Sequence, residues 1–322
     1  MKTILAGLAF AALFFICGCK KDDAPAPVAP KLDTLATGWK KIIVNPTENF
    51  ADIFFNNNTT GYLAGNETYK SVDGGLSWNV ISPLRFANLA ATATGNAFFA
   101  GSYDSIYKLS NGSNTLSGYP IKPNFVGDVF FVDDKNGYYY NTNGLFNTDN
   151  GGESWAKVAL TGFTTIQYNR ASMFFANKNT GYIIINDSSI YKTDGSILNW
   201  VPASFTGSTP NKLDVVFATP NSTVYAASQE TKLYKSIDAG RTFSEIKTFW
   251  ANHIYWCDIH FVDDNTGYVS VDNKIYKTTN AGLSWDVVVT LGGDSFFWEI
   301  HFTDAHHGWA CGSDGIVMVY NN

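Results

Sequence analysis

Six short apolar runs, each opened by a polar residue, punctuate the chain: Asp52-Ile53-Phe54-Phe55, Asp128-Val129-Phe130-Phe131, Ser172-Met173-Phe174-Phe175, Asp214-Val215-Val216-Phe217, Asp258-Ile259-His260-Phe261 and Glu299-Ile300-His301-Phe302. Runs this brief, rich in aromatic and β-branched residues, predict short, two-sided strands. A Gly-aromatic pair then opens a second strand in five units, at Gly61-Tyr62, Gly137-Tyr138, Gly181-Tyr182, Gly267-Tyr268 and Gly308-Trp309. A third strand ends near Tyr-Lys, and a fourth follows a polar turn. No stretch carries helical periodicity. Four strands recurring every forty or so residues describe one propeller blade.

The third-strand markers Tyr69, Tyr107, Phe146, Tyr191, Tyr234 and Tyr276 are spaced by 38, 39, 45, 43 and 42 residues, and Val317 follows 41 later. That spacing predicts an all-β, seven-bladed propeller with four-stranded blades. The second unit is poorly marked, which leaves six or eight blades as alternatives. The seventh unit lacks a fourth strand, and the segment Gly38-Trp39-Lys40-Lys41-Ile42-Ile43-Val44 reads as an orphan one. The ring is therefore expected to close through the N-terminal strand, which removes exposed sheet edges.

The turn before the fourth strand repeats as Ser71, Asp73, Gly75 and Trp78; Thr148, Asn150, Gly152 and Trp155; Ser236, Asp238, Gly240 and Phe243; and Thr278, Asn280, Gly282 and Trp285. Asp or Asn two residues past a hydroxyl accepts bonds from the turn's own amides, Gly supplies positive φ, and the closing aromatic buries a large surface. This pattern resembles the Asp-box (BNR) repeat of sialidases, xyloglucanases and Ycf48/Hcf136-like assembly factors. The resemblance implies that the motif caps the hairpin between third and fourth strands at the blade rim, away from any catalytic centre. Likeness to the Ycf48-like group covers residues 38–322 and implies a binding or assembly role, without its photosynthetic partner.

The N-terminus carries its own signals. Lys2 precedes an apolar run over residues 4–16, too short to span a bilayer, and Ile16-Cys17-Gly18-Cys19 resembles a bacterial lipobox. Residues 1–18 are expected to be a lipoprotein signal peptide, with Cys19 acylated and providing the only contact with the lipid bilayer. Lys20-Lys21-Asp22-Asp23 resembles the export tag of Bacteroidota surface lipoproteins, and alternating Ala and Pro favour an extended tether over residues 19–37. The expected location is the outer membrane, lipid-anchored and facing the cell surface.

Composition narrows the partners. With 22 basic and 28 acidic side chains the net charge is −6, and loss of Lys2 with the leader makes it 21 − 28 = −7. That sign argues against nucleic acid as a partner. Cys257 and Cys311 remain in the folded domain and are expected to be buried thiols, with a disulfide as the alternative.

Sialidase chemistry needs three converging arginines; the chain has only Arg85, Arg170 and Arg241, and Arg241 lies inside a rim turn. All five histidines fall in the last two units. His260 and His301 occupy the slot held by Phe54 and Phe130, so packing is favoured over metal binding, and no metal or cofactor is expected. The acids Asp52, Asp128, Asp214, Asp258 and Glu299 are expected to bond backbone near the channel mouth, with a cation ring as the alternative. The connections into the sixth and seventh innermost strands are aromatic. Trp250, Tyr255, Trp256, Phe297 and Trp298 form the candidate ligand platform, accompanied by Phe249 and Phe296. The reading is a non-catalytic, monomeric binding scaffold for an envelope protein or an extracellular glycan. Its rivals are a surface glycoside-active enzyme and a structural subunit of an envelope complex.

Overall fold

A computed structural model describes residues 33–101, 105–121, 127–141, 143–159, 172–186, 188–193, 195, 199–207, 209–249 and 257–322. These residues form seven antiparallel blades, and among them there is no helix. The innermost strands are Asp52–Phe55, Asn88–Ala91, Asp128–Phe131, Met173–Asn177, Leu213–Ala218, Cys257–Phe261 and Phe297–Phe302, for blades 1 to 7. Each lies beside the innermost strand of the next blade, and that of blade 7 returns to blade 1.

Closure falls where the orphan strand predicts. Trp39–Ile43 pairs with Ile316–Asn321 as the outermost strand of blade 7, in the register Trp39 to Tyr320 through Ile43 to Ile316. Trp39 crosses Phe302 edge-on at 6.2 Å, as Trp78 crosses Phe55 at 5.7 Å and Trp285 crosses Phe261 at 6.2 Å. Ring closure thus reuses the packing slot of an ordinary blade.

The folded domain begins before Gly38. Thr34–Leu35, assigned to the tether by the sequence reading, pairs with Val289 and Thr290 as a fifth strand on blade 6. Asp33 accepts the Gly292 amide at 2.7 Å and Lys41 Nζ at 2.9 Å. A two-residue strand has no periodicity to betray it. Blade 5 carries a fifth strand too, Ser204–Thr206, parallel to Thr242–Thr248.

One interlock explains two sequence phrases. The Phe ending the innermost strand lies over the Gly that opens the second strand, where a Cβ on Gly61, Gly137, Gly181, Gly267 or Gly308 would come within 2.2–2.6 Å of the ring. The same ring stacks on an aromatic of the preceding blade: Phe55 on Trp309 at 3.6 Å, Phe131 on Phe98 at 3.5 Å, Phe175 on Tyr138 at 3.8 Å, Phe261 on Tyr225 at 3.9 Å and Phe302 on Tyr268 at 4.0 Å. Blades 2 and 5 replace Phe by Ala91 and Ala218, and there Ala97 and Val224 take the glycine's place. Glycine is needed only where the ring is present.

The recurrent turns form a second interlock. Ser71 Oγ donates to Asp73 Oδ1 at 2.8 Å and accepts the Gly75 amide at 2.9 Å, while the Ser77 amide donates to Asp73 at 2.9 Å. The residue before the recurring turn glycine points its carbonyl to the preceding blade. Lys108 Nζ reaches Gly151 O at 3.1 Å, Lys192 Nζ reaches Ala239 O at 2.8 Å, Lys235 Nζ reaches Ala281 O at 2.8 Å, and Trp309 Nε1 reaches Gly74 O at 2.8 Å. In blades 2, 4 and 5 the lysine of the Tyr-Lys phrase is therefore an inter-blade donor, a role its spacing alone does not reveal. Both residues at the tip are left-handed, Ala239 at φ 57° and Gly240 at φ 78° in blade 5, so Gly240 relieves only half of the strain.

Candidate functional site

Antiparallel pairing fixes which chemistry lies on which face. Third strands run parallel to innermost ones, so the recurrent turns open on one face of the ring while the acids that start the innermost strands ring the opposite end. That end is the mouth of a central cavity of about 1000 Å³, lined by Asp52, Asp128, Asp214, Asp258 and Glu299 and, deeper, by aromatic side chains.

The acids join blades. Asp52 accepts the Leu89 amide of blade 2 at 2.7 Å, Asp128 the Met173 amide of blade 4 at 3.1 Å, and Asp258 the Ile300 amide of blade 7 at 2.9 Å. Ser172 Oγ serves blade 4 in the same way, accepting the Val216 amide at 3.3 Å. The expected backbone-bonding role is observed for Asp52, Asp128 and Asp258.

Crowding carboxyl groups into one low-dielectric bore disfavours their charge. Burial pushes Asp128 up to about 7, with the Asp258 charge adding to the effect. Burial raises Asp258 to about 6 although Glu299 donates a hydrogen bond to it. Burial and then the Asp258 charge carry Glu299 well above the usual carboxylate range, and burial does the same to Asp52.

Two residues further along the strand, about 7 Å deeper, comes an aromatic layer; in blade 5, where the register shifts between Leu213 and Val215, its member Phe217 follows Asp214 by three. Phe54 lies 4.2 Å from His301, His301 5.3 Å from His260, His260 5.0 Å from Phe217, Phe217 4.9 Å from Phe174, and Phe174 5.6 Å from Phe130, measured between ring centroids. Ala90 stands in the remaining slot. His260 and His301 take the phenylalanine position, as the packing interpretation expects. Burial lowers His301 to about 4 and His260 well below its ordinary value. His301 Nε2 lies 2.9 Å from the Phe55 carbonyl, which only accepts, so Nε2 carries the proton. No cluster of three metal-ligating side chains occurs among the described residues.

The aromatic platform divides. Phe297 is 1% exposed and packs with Trp39, Ile300 and Ile316, and Phe249 is likewise buried, so both are corrected from surface to core. Trp298 differs from its neighbour because the strand bulges there: Phe297 pairs with Gly312 and Glu299 with Cys311, leaving Trp298 unpaired and turned to the mouth. It meets Phe296 edge-on at 5.0 Å. Trp250, Tyr255, Trp256, His253, Arg170 and Cys19 lie outside the described residues. Arg85 lines the mouth and Arg241 stands exposed on the turn face, so these two cannot share a site. Cys311 is an unpaired buried thiol, raised far above its ordinary value by burial and the nearby acids.

The aromatic layer and the separate role of Trp298 were missed from sequence. The repeating Phe54 slot was the available signal for the first; nothing in the residue order marks the bulge.

Fold and cavity define a seven-bladed propeller with an acid-rimmed bore. No family model matches the chain, and comparison with curated proteins finds no match. Among solved structures, the chain is similar to Ycf48 bound to D1 peptide, at 15% identity and a TM-score of 0.70, covering 90% of this chain and 98% of that one. It is also similar to Ycf48 from Cyanidioschyzon merolae, at 17% identity and a TM-score of 0.70 over 88% and 98% of the two chains. U3-55K matches at 7% identity and a TM-score of 0.70 over 90% and 100%. Identities this low establish the shared propeller fold alone.

Proposed function

We propose that this chain is a non-catalytic binding lipoprotein of the cell envelope, anchored in the outer membrane through acylated Cys19 and displayed at the surface, which captures a protein partner at the mouth of its channel. The observation that carries this reading is the open cavity with Trp298 turned to its rim by a bulge. Bulges of this kind re-aim side chains beside binding sites. The peptide held by one Ycf48 structure supports a protein partner over a glycan. The four rim turns carry the hydrogen bonds expected of Asp-boxes, and their inter-blade contacts support a structural role.

The enzyme alternative draws on the raised carboxyls, since glycoside hydrolysis pairs a protonated acid with a second carboxylate. Against it, Asp52, Asp128 and Asp258 each commit an oxygen to a neighbouring blade's amide.

Crosslinked capture from the envelope, comparing the wild-type chain with Trp298→Ala, tests the binding site. Loss of one specific protein from the variant supports it, and equal capture by both sinks it. Palmitate labelling of wild type but not of Cys19→Ser checks the anchor separately.

A further inference from the structure

Resting on that reading, we propose that the mouth receives one cationic side chain of the partner, a lysine ammonium or an arginine guanidinium, seated between the carboxylate layer and the aromatic layer. The cavity lining sets the sign: five acids, Asp52, Asp128, Asp214, Asp258 and Glu299, face one guanidinium, that of Arg85. His260 and His301 add no positive charge near neutral pH, because burial holds both below their ordinary range.

The aromatic layer supplies an independent reason. Phe54, Phe130, Phe174 and Phe217 line the same cavity one step below the acids, and π faces attract a cation that has shed water. A single alkyl stem with a charged head matches this order of surfaces. His260 also lines the bore, deep within the ring; it packs on Phe217 and Phe302 and makes no hydrogen bond to any described residue, so an imidazole nitrogen is left to meet an incoming N–H. A hard dication is a poorer occupant. It requires six or more oxygen ligands, whereas three of these carboxyls already accept backbone amides.

Binding is then tied to proton release. In the empty bore burial raises Asp52, Asp128, Asp258 and Glu299, and repulsion from the other acids adds to it at Asp52, Asp128 and Glu299; a cation reverses that cost, so Asp128 and its neighbours ionise more readily as it enters. Asp52, Asp128, Asp214, Asp258 and Glu299 all face the site, together with His260, His301 and Arg85, while the Cys311 thiol lies behind Glu299.

Calorimetry of the full chain with the probes acetyl-Gly-Arg-Gly-amide and acetyl-Gly-Lys-Gly-amide, and with counterparts carrying citrulline or norleucine, tests this. The charged peptides are expected to bind at least about tenfold more tightly, to gain affinity between pH 5.5 and 7.5, and to release protons in buffers of different ionisation enthalpy. Asp52→Asn combined with Asp128→Asn keeps one oxygen on each side chain for the neighbouring blade's amide, Leu89 or Met173, and gives up the second acceptor that Asp128 offers the Val129 amide; an unchanged thermal transition shows that the fold stands, and the preference for charge is then expected to be lost. Equal binding of citrulline and arginine peptides overturns the inference and leaves the mouth-binding reading intact. Calcium binding in preference to both cationic peptides also overturns it, making the bore a metal site. Capture of the envelope partner unchanged by Trp298→Ala overturns the underlying reading instead.

Discussion

The two faces of this ring respond to pH with opposite sign. On the turn face, the Ser236 hydroxyl and then the Thr242 amide hold the Asp238 carboxyl down to about 2, from an ordinary 3.8. Its contribution to stability is complete above the unfolded value and is lost as pH falls through about 2. At the mouth, burial carries Asp128 up to about 7, so the native state binds more protons than the unfolded chain between 3.8 and 7. There stability declines as pH rises. One face is built for order; the other retains a cost that a ligand can relieve.

The faces also differ in what they show to solvent. The turn tips expose Val72 (63%), Leu76 (51%), Ile237 (84%) and Leu283 (86%), whereas the mouth recesses its aromatics within a polar rim. Exposed apolar residues set singly along a rim need no ligand to explain them. A recessed cavity with convergent polar groups is the more usual place for one.

The largest effect expected from breaking the architecture is loss of closure. Deleting Trp39–Ile43 strips blade 7 of its outermost strand and bares a paired edge, so the truncated chain should aggregate or lose its cooperative thermal transition. Next comes the stacked interlock. Phe131→Ala removes a buried ring lying on Phe98 and crossing Trp155, and should lower unfolding free energy by about 3–5 kcal/mol in denaturant titrations. Asp238→Ala strips one turn of its acceptor and should cost about 1 kcal/mol at neutral pH. Asp128→Asn sharpens the contrast between faces. It should raise the melting temperature by about 2–5 °C at pH 8, with the gain shrinking towards zero at pH 4; a gain that grows on acidification would reverse the sign assigned to the mouth.

Much of the ring was legible because repeats carry redundancy. The blade count followed from third-strand markers, and closure from Trp39 in a slot shared with Trp78 and Trp285. The acids at the mouth were visible as a recurring first residue, and their backbone bonds were anticipated. Other features depended on tertiary geometry. The lysines after Tyr107, Tyr191 and Tyr234 act on turns more than forty residues away, a distance the local pattern does not encode. Phe297 and Trp298 are adjacent aromatics with identical sequence credentials, and only the bulge sends one to the core and the other to the rim. Thr34–Leu35 was too short to read as a strand.

The most direct measurement is partner capture by two matched double variants, Trp298→Ala with Asp128→Asn at the mouth and Ile237→Ser with Leu283→Ser on the turn face. Loss of the partner by about tenfold or more from the mouth variant, with the turn variant unchanged, is the predicted result. Loss from the turn variant alone would contradict the account and move the binding face to the opposite side of the ring.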